Sequence, residues 1–231
     1  LILVMRRFFY YTPIFLQKVG YSVFFIIYKI FLSIEVRGKE NFKGLKGPVI
    51  IAANHTSELD VTTSAMTLPF FSPLLPMYYV TNPKEKYNTF GWRNYIYGGI
   101  FFNWLGGYPI HSGFKDYEIS LENHLDILDN NGTVYIFPEG KRSDGGKPGP
   151  ARGGLGFLVF ETGATVVPIA INSFYGFTWR EFLLRKRKVT IEVLKPITLE
   201  ELFETDEPVV DDYRRASQIV MDRISEKISV N

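Results

Sequence analysis

The sequence predicts an α/β fold, a mostly parallel central sheet flanked by helices and preceded by N-terminal membrane-associated helices. Three observations carry this. Short continuous apolar runs recur at Val49-Ile50-Ile51-Ala52-Ala53, Val134-Tyr135-Ile136-Phe137 and Thr165-Val166-Val167-Pro168-Ile169-Ala170-Ile171, as expected of strands buried on both faces. Helical patterns fall between them, over 115–128 and 153–162, and strand–helix alternation implies parallel pairing. Many of the aromatic residues, 16% of the chain, stand at its start.

That start reads FFYYTPIFLQKVGYSVFFIIYKIFLSI over 8–34, with no acid before Glu35 and only Lys18 and Lys29 as charges. No small-residue cleavage site ends it as in a secretory signal. The two lysines cut it into runs shorter than the roughly 20 apolar residues of an ordinary span. Lysines at these sites can snorkel while Phe, Tyr and Ile sink into the acyl boundary. Arg6 and Arg7 add attraction to anionic lipid. The expectation is one or two helices lying in or dipping into one leaflet, with Pro13 and Gly20 as candidate break points, rather than a soluble helix buried in the domain. Residues 1–34 are read as a membrane-associated appendage and 35–231 as one α/β domain. Met5 is a candidate start, the first four residues being an extension.

After Gly47-Pro48 comes the first strand, and after the turn signal Asn130-Asn131-Gly132 the second. The third contains Pro168, and Val189-Thr190-Ile191-Glu192-Val193 is a fourth with more alternation. Arg185-Lys186-Arg187-Lys188 precedes it, itself preceded by Arg180, a run that reads first as a solvated face or a positive strand edge, with a membrane-surface or acidic-ligand role as the alternative. From Val189 to the end there are ten acids against five basic residues. A helical pattern follows Pro208, read as a solvated terminal helix.

Composition excludes several functions. A charge sum of +2 over 231 residues gives no bulk basic character for nucleic acid. Zero Cys removes disulfides, cysteine–zinc sites, iron–sulfur clusters and a cysteine nucleophile. A zinc set drawn from His55, Glu58, His111 and His124 lacks the His-Glu-x-x-His spacing, so no metal is expected.

Directly after the first strand stands Asn54-His55-Thr56-Ser57-Glu58-Leu59-Asp60. Five helical steps separate two side chains by about 140°, so His55 and Asp60 would not share a helix face. They meet if His55 lies in the strand-to-helix turn and Asp60 one turn into the helix. Asp60 then accepts from one imidazole nitrogen and leaves the other as a base. Directly after the second strand stands Phe137-Pro138-Glu139-Gly140-Lys141-Arg142-Ser143. It offers the Gly140 N–H, two cations and a hydroxyl to an anionic head group. Alone, each segment also reads as a surface turn.

Together, in this order and about 80 residues apart, the two segments resemble the glycerolipid acyltransferase family, which includes the PlsC-like lysophosphatidic acid acyltransferases. The His-x4-Asp block is His55 and Asp60, and the Phe-Pro-Glu-Gly-x-Arg-Ser block is complete from Phe137 to Ser143. An apolar strand around a proline matches Val167 to Ile171. One block departs: where the family has a glycine followed by an arginine that contacts the acceptor, this chain has Gly107, then His111 or Ser112, with Lys115 the nearest cation. That loss weakens the expectation of lysophosphatidate itself.

The resemblance implies an acyl thioester donor, acyl-CoA or acyl-ACP, as co-substrate with no other cofactor. His55 is implied as general base oriented by Asp60. Residues 137–143, with Gly107, His111, Ser112 and Lys115, are implied for substrate binding. Membrane lipids and the thioester carrier are the implied partners, at a membrane surface facing the cytoplasm, with the chain monotopic or peripheral. Alternatives are transfer to mono- or diacylglycerol, a phospholipid transacylase or hydrolase, and a non-catalytic lipid-binding protein. Asn54-His55-Thr56 and Asn131-Gly132-Thr133 match glycosylation acceptors; a glycan at Asn54 would block the base, so both are read as coincidence.

Overall fold

Seven strands among the described residues form one sheet, in the order β1-β7-β6-β2-β5-β3-β4. The strands are β1 (Ser33–Arg37), β2 (Val49–Ala53), β3 (Met77–Thr81), β4 (Gly107–Pro109), β5 (Thr133–Ile136), β6 (Thr165–Asn172) and β7 (Lys188–Val193). This computed structural model describes residues 9–85, 100–111, 116–143, 145–172 and 174–229. Every neighbouring pair is parallel except β6 with β7. The carboxyl ends of β2, β5 and β6 therefore lie on the same sheet edge as the amino ends of β7 and β1.

Helices α1 (Tyr11–Phe31) and α2 (Asp60–Thr67) cover one face, where they meet Val49, Ile51, Met77 and Tyr135. The other face carries α4 (Tyr117–Asp129), α5 (Gly154–Thr162) and α7 (Val210–Ser225), packed on Ile50, Ala52, Val134 and Val166. Short helices α3 (Ile100–Trp104) and α6 (Trp179–Leu183) precede β4 and β7. Burial on both faces explains why β2 is apolar at all five positions. β7 alternates between buried and more open positions because it lies toward one side of the sheet.

Local chemistry sets the boundaries. Asp116 caps α4, its side chain accepting from Glu118 N–H. Gly163, left-handed at φ +63°, ends α5 by donating to the Val159 carbonyl. Pro168 has no N–H to give, yet stands in a central strand. Its carbonyl is used, accepting from Leu194 N–H at 2.9 Å.

Two expectations change. The N-terminal stretch is one helix, unbroken at Pro13 and Gly20. Pro13 lies in the first turn, where amide hydrogens have no intrahelical acceptor, and Gly20 costs a helix interior only about 1 kcal/mol. The helix is also fastened to the domain: the Gln17 amide donates to the carbonyls of Met77 (2.7 Å) and Leu105 (3.0 Å) and accepts from Met77 N–H (3.0 Å). The residue-34 boundary falls inside β1. The second change is the terminal helix, which is not simply solvated. Ala216, Val220, Met221 and Ile224 of α7 are buried in the core, because its apolar residues recur at helical spacing among the acids.

Candidate active site

β2 and β5 pair in parallel register, Ala52 opposite Ile136, so the segments that leave their carboxyl ends emerge side by side. Asn54 anchors the first of them. It is fully buried, donates to the Ile171 carbonyl at 3.0 Å and accepts from Ile171 N–H at 2.8 Å, tying the end of β2 to β6. His55 then sits in the turn and Asp60 opens α2, one turn earlier than expected. Asp60 Oδ2 accepts from Thr56 N–H (2.6 Å), Ser57 N–H (2.7 Å) and His55 Nδ1 (3.1 Å).

With Asp60 0% exposed and acceptor-only when ionised, Nδ1 is the nitrogen that carries hydrogen and donates. Nε2 is left as the basic nitrogen of a side chain still 18% exposed. The carboxylate also lies in the first turn of α2, where the helix dipole favours negative charge.

The 137–143 segment closes around the same turn. The Phe137 ring stacks on the imidazole, with centroids 4.1 Å apart. Ser143 N–H donates to the His55 carbonyl at 2.7 Å. Glu139 accepts from His55 N–H (2.8 Å) and Gly149 N–H (2.9 Å). Burial raises the Glu139 pKa, opposed by those two hydrogen bonds. Arg142 reaches Glu58 at 3.3 Å on the exposed rim, and Lys141 is exposed beside it.

Several expected substrate contacts have other work. Glu139, buried and committed to two backbone amides, is a tether between the loops rather than an anion contact. Gly140 N–H donates to the Phe137 carbonyl at 3.0 Å and so closes a turn instead of standing ready for an oxyanion. A glycine is needed there because φ is +66° and a Cβ would lie 2.8 Å from the Arg152 side chain. Pro138 is buried, its carbonyl accepting from Arg152 N–H at 2.8 Å. Gly107 is a packing glycine of β4: a Cβ would meet Thr81 at 3.0 Å and the Phe102 carbonyl at 3.2 Å. His111 follows β4, three strands from β2 and so about 14 Å across the sheet at ordinary strand spacing. Ser112 and Lys115 lie outside the described residues.

The fold brings other cations to this edge, of which only Arg152 carries no signal in the sequence. Arg152 lies across Gly140, nine residues beyond the motif in a Pro/Gly loop. Lys186, Arg187 and Lys188 line a cavity of about 270 Å³ together with Thr56, Asn172 and Tyr175. The basic run is therefore adjacent to the His55 turn. Its signals in the sequence were four consecutive cations and a position just before a strand.

Comparison with known proteins meets this geometry. A family model described as Acyltransferase matches residues 33–172, more than half of the chain and all of both strand-end segments. The chain belongs to the acyltransferase family. The acyltransferase fold also matches the crystal structure of the 1-acyl-sn-glycerophosphate (LPA) acyltransferase PlsC from Thermotoga maritima. The TM-score is 0.60 at 19% identity, covering 93% of this chain and 79% of that one. Among curated acyltransferases, 1-acyl-sn-glycerol-3-phosphate acyltransferase alpha of Mus musculus is 24% identical over 203 residues, 83% of this chain and 64% of that protein. The human beta enzyme is 28% identical over 214 residues, 90% of this chain and 71% of that protein. The chain thus spans somewhat under two thirds of the mouse relative.

Proposed function

We propose that this chain moves a fatty acyl group from an acyl thioester, acyl-CoA or acyl-ACP, to a hydroxyl of a lysophospholipid or related glycerolipid. His55 Nε2 takes the acceptor's proton as its oxygen attacks the thioester carbonyl carbon. The C–S bond then breaks, and the thiolate leaves with the proton returned from the imidazolium. Asp60 holds Nδ1–H and stabilises the imidazolium. The stacked Phe137 ring limits how the imidazole turns. Arg142, Lys141 and Arg152, with Lys186 across the cavity, supply positive charge for the phosphate of acceptor or donor. No further cofactor takes part. We place the site at the cytoplasmic membrane surface, with the chain monotopic or peripheral.

The observation that carries this reading is the bond between His55 Nδ1 and Asp60 Oδ2 beside the cationic loop. Purified protein with labelled acyl thioester and a panel of lysophospholipids, monoacylglycerol and diacylglycerol tests it. Acylated product is expected, and His55→Ala is expected to lower the rate about 10²- to 10⁴-fold, the usual worth of a general base, with vesicle binding unchanged. Absence of product from every acceptor, or an unaffected His55→Ala, overturns it.

One observation favours a second acceptor class. The acceptor-block arginine is replaced at His111 or Ser112, which favours a neutral lipid alcohol over lysophosphatidate. The same panel decides between them. Omitting the thioester while supplying phospholipid identifies a transacylase or hydrolase.

A further inference from the structure

α6 is built rigidly and then left bare. Its Thr178–Glu181 capping box is complete. Glu181 forms a forked ion pair with Arg187 Nη2, at 2.7 and 2.8 Å, which depresses the Glu181 pKa to about 2, helped by hydrogen bonds from Thr178. Phe182 points inward, stacked on Phe31 at the end of α1 (4.8 Å) and edge-on to Phe177. Two ion-pair bonds, a cap and a ring cluster are heavy support for five residues. Yet its other large side chains stand in water: Trp179 is 79% exposed, Leu183 65% and the following Leu184 51%. Arg180, Arg185 and Lys186, all exposed, surround them.

Helix α1 carries an exposed apolar face of its own. On α1 the exposed residues Tyr11, Phe15, Val19, Val23, Ile26 and Ile30 recur every three or four positions and form one stripe. Pro13, Gln17 and Tyr28 form the buried face. The Phe31–Phe182 stack ties the end of α1 to α6 from the side away from that stripe.

We propose that α6 is a second membrane contact, inserting Trp179, Leu183 and Leu184 into the interface of an anionic leaflet while Arg180, Arg185 and Lys186 meet the lipid phosphates. This extends the membrane association of the proposed function and is independent of the chemistry at His55. The occupant is a bilayer because exposed indole and leucine side chains ringed by cations match the apolar–anionic boundary of a lipid surface. Two contacts, at α1 and at α6, fix the orientation of the sheet edge that bears His55 toward the leaflet, because Lys186 lies both on the patch and on the wall of the cavity beside Thr56.

The full chain carrying Trp92→Phe and Trp104→Phe keeps Trp179 as its one indole. It is mixed with phosphatidylcholine–phosphatidylglycerol vesicles whose acyl chains are brominated. The expected result is co-sedimentation with a blue-shifted Trp179 emission that the bromolipid quenches. Adding Arg180→Glu, Arg185→Glu and Lys186→Glu should weaken the quenching while α1 keeps the protein on the vesicles. Because the chain has no cysteine, Leu183→Cys with a nitroxide label gives the same reading by oxygen against aqueous nickel accessibility, should the tryptophan variant not fold. Co-sedimentation with Trp179 unquenched by bromolipid and still open to aqueous iodide overturns the α6 contact and leaves membrane association standing. Failure to sediment overturns both. A blue shift that grows with protein concentration in the absence of lipid assigns the patch to a second copy and likewise overturns it.

Discussion

At the scale of single residues, Asp60 is the most constrained group in the site. One oxygen accepts from two backbone amides and an imidazole, so the carboxylate both forms the turn and selects the tautomer of His55. Asp60→Asn keeps the shape but offers one carbonyl oxygen and a donor in place of a charge. Its rate should fall steeply but no further than that of His55→Ala, because Asp60 acts through the imidazole, with unfolding stability lower by about 1–3 kcal/mol; steady-state turnover and a urea melt measure the two effects. Asn54 acts one residue before the base. Asn54→Ala strands the Ile171 N–H and carbonyl in the core, and a loss of about 2–4 kcal/mol is expected for two unmade buried bonds, read from the shift in urea midpoint. The block at 137–143 was legible as a motif, but the work of its members was not. A buried glutamate reads from the chain as an anion-site partner, and only the partners of Glu139, the amides of His55 and Gly149, make it a tether.

At the scale of elements, α4 carries a titratable group sealed from water. His124 is fully buried, and burial lowers its pKa from 6.5 to about 4. Above pH 6.5 the histidine is neutral folded or unfolded and contributes no pH dependence. As pH falls from 6.5 toward 4 the unfolded chain takes up a proton that the folded chain refuses, so stability declines across that window and levels below it. The ceiling is about 3 kcal/mol. His124→Leu should flatten that part of the curve when thermal unfolding is followed against pH, and an unchanged slope would assign the acid sensitivity elsewhere. Strands β2, β5 and β6 were readable because burial on both faces leaves an unbroken apolar run. β4 is three residues long and α6 five, too short for a period to declare itself. α7 read as solvated because acids dominate the tail from Val189 onward that contains it, whereas its packing depends on spacing.

At the scale of the whole molecule, α1 belongs to the fold as well as to the exposed apolar surface proposed to meet the membrane. Removing residues 1–34 would take away the Gln17 clamp on β3, the buried Tyr28 and Leu32, and the first two residues of β1, so that truncation should yield aggregated protein rather than a soluble domain. Phe15→Ser, Val23→Ser and Ile26→Ser, confined to the exposed stripe, should keep the melting temperature within a few degrees while reducing vesicle sedimentation several-fold; equal sedimentation would exclude the stripe as the anchor. The sequence by itself determined the layered α/β class, the three buried strands, the apolar start and the two segments that follow strands, since each is a property of neighbours along the chain, of period and composition. The tertiary structure alone decided that Asp60 meets His55, that Glu139 and Asn54 hold the turn, and that a basic run more than a hundred residues onward lines a cavity with Thr56. Those facts depend on strand order and register, and parallel pairing brings together chain ends whose separation in sequence carries no trace of their distance in space.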